Sequence, residues 1–155
     1  MMGMHDKIGR ILVAIDGSTK ANEALSLALY IASNLGAEVE IFNVIVAPAY
    51  PIGASVRLGG SPPGYIHNYY AEHKEYSEKL IKEAFEKSKK DYPKLTITTK
   101  ISEGNPADTI LEESEKGFDA LVIGSRGLGF MDELLLGSVS GKVIHKSKIT
   151  VILSK

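Results

Sequence analysis

The feature that most constrains this chain is a set of apolar runs, spaced along its length and separated by amphipathic stretches. Arg10 to Asp16 (RILVAID) is nearly continuous in apolar residues and ends in a polar turn. Such runs fit central strands of a parallel sheet covered on both faces. Glu38 to Val46 (EVEIFNVIV), Ala120 to Gly124 (ALVIG) and Ile149 to Ser154 (ITVILS) read as further strands. Leu95 to Ile101 alternates through Ile97, Thr99 and Ile101, as an edge strand does.

The intervening stretches carry a helical period. Lys20 to Leu35 places Ala21, Ala24, Leu25, Ala28, Leu29, Ala32 and Leu35 on one stripe, after cap and turn residues at Asp16 to Thr19. Tyr69 to Asp91 is a charged helix with Tyr76, Leu80, Ala84 and Ser88 on one face. Asn105-Pro106 predicts a third helix, since Asn is a good cap and Pro suits the first helical position. Its inner face would be Ala107, Ile110, Leu111 and Ser114, and Gly137 to Lys146 is a fourth helix. Strand and helix alternate, so the expected fold is α/β: a single domain over 1–155, five parallel strands in one sheet, helices on both faces. A chain of this length buries about two-thirds of its unfolded surface, enough for a core without staples.

Ala47 to Asn68 breaks the pattern. Four prolines and four glycines fall in it, at Pro48, Pro51, Pro62, Pro63, Gly53, Gly59, Gly60 and Gly64. A long loop at about 47–68 is expected, mobile without ligand. Tyr65, Tyr69 and Tyr70 could line a pocket near it or pack beneath it.

Several function classes are set aside by composition. A net charge of -1 offers no field for nucleic acid. With no cysteine, disulfides and thiolate zinc sites are excluded. His67 and His73 lack the helical spacing of a metal pair. No signal-peptide run opens the chain and no apolar run is long enough to span a bilayer, so a cytoplasmic protein with no membrane partner is expected.

Ala120 to Ser140 (ALVIGSRGLGFMDELLLGSVS) carries the chemistry. It leaves a strand through Gly124, Ser125, Arg126 and Gly127, and reaches a helix start at Gly137-Ser138-Val139-Ser140. Glycines after a strand let the backbone approach a ligand and tolerate φ > 0. The free N–H groups of Gly137, Ser138 and Val139, with the hydroxyls of Ser138 and Ser140, form an anion site at a helix start. Ordinary N-capping would use the same atoms. Arg126 is either a bidentate phosphate partner or a solvated side chain. Asp132 and Glu133 read as a solvated face. Asp16 closes the first strand, either as a turn residue or as a ligand contact.

The spacing G-x2-G-x9-G-[S/T], set by Gly124, Gly127, Gly137 and Ser138, resembles the ATP-binding signature of the universal stress protein family. The resemblance extends from Ile11 to Ser154. It implies strand order 3-2-1-4-5, as in the adenine nucleotide alpha-hydrolase-like fold, with a ligand at the switch between the first and fourth strands. It implies that Asp16 meets the ribose or adenine side, that Ala14 or Ile15 and Val44 supply adenine contacts, and that the glycines lie along ribose and phosphates. It further implies Mg2+ or Mn2+ held by the ATP phosphates, a homodimer through the last strand, and an unknown protein partner.

Other nucleotide signatures fail. Asp16-Gly17-Ser18-Thr19 is not a dinucleotide fingerprint, and Gly137 to Val143 (GSVSGKV) is one residue short of a P-loop and has Val143 where Ser or Thr is needed. A phospho-receiver would need clustered acids after the first strand, where only Asp16 stands. The readings left are a nucleotide-dependent regulatory module, a slow ATP hydrolase, or a scaffold that works without nucleotide.

Overall fold

The computed structural model describes residues 7–47, 63–127 and 136–155, with 63–67 as backbone. Nine elements follow one another: β1 (Arg10–Ala14), α1 (Thr19–Leu35), β2 (Glu38–Val46), α2 (Pro63–Asp91), β3 (Ile97–Gly104), α3 (Pro106–Ser114), β4 (Ala120–Gly124), α4 (Ser138–Lys146) and β5 (Thr150–Ser154). The strands form one sheet in the order β3-β2-β1-β4-β5, and every pairing is parallel.

Period-two alternation divides the core between two faces. Ile11 and Val13 of β1, Val39 and Ile41 of β2 and Val122 of β4 face α1 and α2, where they meet Ala24, Ala28, Ala32 and Ile81. Leu12, Phe42 and Leu121 face the other way, toward Ala107 and Ile110 of α3 and Val143 of α4. The alanine stripe of α1 lets that helix lie close on β1 and β4. α1 is capped by Ser18, whose hydroxyl accepts from the Ala21 N–H, and ends at Gly36 with φ 67°, a conformation that suits glycine. Leu35, expected on the buried stripe, is exposed at the last position of the helix, just before the chain turns at Gly36.

α2 departs most from expectation. It begins at Pro63, inside the stretch read as loop. Proline is tolerated in a first turn, where its missing N–H has no helical partner to lose. The remainder of the expected loop, 48–62, lies outside the described residues, as do Asp132 and Glu133. The buried face of α2 keeps Leu80, Ala84 and Ser88, as expected, but not Tyr76. Ser77, Ile81 and Ser88 are buried, while Tyr76 is exposed at the margin.

Candidate functional site

The β1 and β4 strands are neighbours, yet their following helices, α1 and α4, cover opposite faces. A crevice opens at such a switch point, beyond the carboxyl ends of the strands. Here it is a cavity of about 410 Å3. Ala14, Ile15 and Asp16 line it from β1, Val44 from β2, Gly124, Arg126 and Gly127 from β4, and Gly137, Ser138, Val139 and Ser140 from the start of α4. The structure thus gathers all the residues singled out from sequence around one space except Ser125.

Ser125 is buried behind the wall and ties it together. Its N–H donates to the Ser154 carbonyl at 2.8 Å. Its carbonyl accepts from the Gly137 N–H at 2.9 Å and from the Ser140 hydroxyl at 2.8 Å. Two of the expected anion donors are therefore already engaged: the Gly137 N–H and the Ser140 hydroxyl hold α4 against β4. Ser140 lies one helical step deeper than Ser138, on the side facing the strand, and is buried. What remains for an anion is the exposed Ser138 side chain and the open first turn of α4, which has no side-chain cap.

The glycines serve close approach, not unusual dihedrals. None of Gly124, Gly127 and Gly137 has a φ in the left-handed range, so the tolerance of φ > 0 that glycine brings is not used here. A Cβ at Gly124 would stand 2.8 Å from the Lys20 backbone, so this glycine lets α1 pack on β4. A Cβ at Gly127 would stand 2.6 Å from Asp16 Oδ2, and one at Gly137 would stand 3.5 Å from Arg126 Cα. Gly127 thus faces Asp16, and Gly137 lies against the Ser125–Arg126 backbone.

Asp16 is held in place. Its Oδ1 accepts from the Ser18 N–H at 2.9 Å, the turn that starts α1, and its main-chain carbonyl accepts from the Tyr76 hydroxyl at 3.2 Å. Asn43 supports the same strand end: its amide donates to the Ile15 carbonyl at 2.8 Å. Asp16 is the acidic side chain on the wall, and among the described residues no group of three or more His, Asp or Glu could hold a metal ion.

Some wall residues were missed in the sequence. Phe42 and Val46 share a strand face with Val44, so period two could have found them. Pro106 and Ile110 of α3 also line the cavity. Their helical spacing was visible, but nothing local says that α3 reaches across the strand ends. These residues and Ala14 and Ile123 make an apolar floor. Ser138, Arg126 and Asp16 make a polar mouth. A flat apolar ring and an anionic tail would fit that division.

The model of the universal stress protein family matches residues 7–155. Universal stress protein YxiE of Bacillus subtilis is 32% identical over 145 residues, covering 93% of this chain and 97% of that protein. Among solved structures, universal stress protein UspA from Lactobacillus plantarum superposes with a TM-score of 0.71 at 22% identity, over 96% of this chain and 99% of that one. The universal stress protein from Archaeoglobus fulgidus in complex with dAMP superposes with a TM-score of 0.64 at 22% identity, over 95% and 98%. At those identities the two structures speak for the fold.

Proposed function

The chain belongs to the universal stress protein family, and on that premise we propose that it binds ATP in the cavity between β1 and β4 and acts as a nucleotide-dependent regulatory module. The observation that carries this reading is the convergence of Asp16, Gly127 and the open first turn of α4 on one cavity with an apolar floor. Adenine would lie on Ala14 or Ile15 and Val44. Asp16 Oδ2, whose companion oxygen is spent on the Ser18 N–H, would accept from a ribose hydroxyl. The phosphates would run past Gly127 to Ser138, where a helix start favours negative charge. Arg126 adds a cation at the mouth. That a relative of the same fold has been seen with dAMP supports an adenine nucleotide here.

Mg2+ or Mn2+ would be held by the phosphates, because among the described residues the wall offers a single carboxylate, and that one would face the ribose end. The metal would neutralise phosphate charge; the chain's own part is to orient the nucleotide and shield its base.

The reading is tested by mass analysis of nucleotide carried through purification and by calorimetry with ATP and MgCl2. ATP at about 100 times its dissociation constant should stabilise the fold by roughly 2.7 kcal/mol. In a domain of this size that raises the melting temperature by roughly 5–10 °C. No heat of binding and no thermal shift would replace this reading with that of a scaffold working without nucleotide.

A further inference from the structure

Tyr76 stands apart from the residues around the cavity. It belongs to α2, whose described residues do not line the cavity, and 49% of it is exposed, so burial does not fix its ring. Its hydroxyl nonetheless reaches the β1–α1 turn and donates to the Asp16 carbonyl at 3.2 Å. Among the described residues no other hydrogen bond joins α2 to that turn.

Gly17 explains why such a bond is needed there. Its φ of 88° lies where L side chains are strained, and a Cβ at this position would overlap the Tyr76 hydroxyl. The turn therefore requires glycine twice over, for its dihedral and for the space. Glycine also leaves the peptide between Asp16 and Gly17 soft, since its torsions are less restricted than those of other residue types. The phenol restores the stiffness. With the carbonyl held by Tyr76 and Oδ1 held by the Ser18 N–H at 2.9 Å, the remaining oxygen, Oδ2, is directed at Gly127 close by.

We infer that Tyr76 is a positioning residue, which fixes the direction of the Asp16 carboxylate and so couples the placement of α2 to the affinity of the cavity for a nucleoside phosphate. The ligand in this statement rests on the nucleotide reading above; the clamp itself does not. A shift of α2 that withdraws the hydroxyl would release the turn through the Asp16 carbonyl alone. α2 is thereby a lever on the site from outside it.

Tyr76→Phe removes one oxygen and keeps the ring. In the protein without ligand, amide exchange followed by NMR should be faster at Ser18, whose N–H depends on the Asp16 carboxylate, and unchanged in β4. With ATP and MgCl2, affinity should fall roughly two- to tenfold, the range for one neutral hydrogen bond. In an Asp16→Ala background the same substitution should cost nothing further, because the effect passes through that carboxylate. A loss of equal size in that background, or ATP affinity unchanged in a wild-type protein that binds ATP, overturns the inference. If wild type binds no ATP, the nucleotide reading fails. Ser18 exchange then decides the clamp alone: faster exchange in Tyr76→Phe upholds it and unchanged exchange overturns it.

Discussion

A single methyl group at Gly127 would close the gap to Asp16, since its Cβ would lie 2.6 Å from Oδ2. Gly127→Val should therefore abolish most of the ATP-dependent thermal shift. Gly127 is exposed, so the unliganded melting temperature should stay near that of wild type; calorimetry and melting on the same preparation check both. Gly124 belongs to a different class. Its hydrogen side meets the Lys20 backbone, so Gly124→Ala should lower stability by the roughly 1–3 kcal/mol of an overpacked core, measured by denaturant unfolding. The two serines divide in the same way. Ser138→Ala should weaken ATP binding by roughly 1.5–3 kcal/mol, one hydrogen bond to a charged group, and leave melting unchanged. Ser140→Ala should instead lower the melting temperature, because its buried hydroxyl bonds the Ser125 carbonyl. Spacing along the chain shows that these glycines and serines belong together. It cannot tell a residue that meets ligand from one that braces the wall, because that depends on which side of one helical turn faces a strand distant in sequence.

At the scale of elements, periodicity was legible where both faces of a strand are covered or one stripe of a helix is alanine-rich. β2 and β4 have the spans their apolar runs predict. It was least legible in α2, whose charged surface carries few apolar markers: Leu80 and Ala84 pack on the core and Ser88 is buried as expected, but Tyr76 is exposed and Ser77 buried. α3 holds another surprise, the buried Glu113. Lys100 of β3 and Lys116 both donate to its carboxylate at 2.8 Å, which keeps a charge tolerable there. Glu40 of β2 lies beside it with Oε1 buried and unpartnered. Burial first, and then the Glu113 charge, push the Glu40 carboxyl up, against the pull of Lys100 and Arg10. For Glu113 burial also pushes up, but the hydrogen bonds from Lys100 and Lys116 outweigh it and hold the carboxyl down. The signs differ. Folding binds the Glu40 proton more tightly, so its contribution is intact below the ordinary glutamate value of about 4.3 and is lost as pH rises through the folded value. The Glu113 contribution is present above about 4.3 and is lost as pH falls through its folded value. Glu40→Gln keeps a donor for Glu113 and removes the loss on the alkaline side. Near neutral pH it should melt above wild type, since the folded chain no longer gives up a proton it binds more tightly. The gap should close in melts taken below about pH 4.

At the scale of the whole molecule, the sheet ends in β5, whose Thr150, Val151, Ile152, Leu153 and Ser154 pair with β4 on one side. The Ser154 carbonyl points to β4, where it accepts from Ser125, so by alternation the N–H and C=O of Val151 and Leu153 point away from the sheet. Such an apolar edge invites a second copy about a two-fold axis. Light scattering should find a dimer at micromolar concentration. Val151→Pro removes one outward N–H and spares the β4 ladder, so it should give a folded monomer; a dimer that survives it would place the contact elsewhere. The location of the cavity was legible only once strand order was assumed, because no local pattern reveals which strands become neighbours. Ser125 then acquires a meaning its plain chemistry hides. Its N–H serves the edge strand, and its carbonyl serves the helix that closes the cavity. The peptide groups on either side of one residue thus serve two surfaces, and a lineage cannot remodel its pocket here without also testing the seam at which its copies would meet.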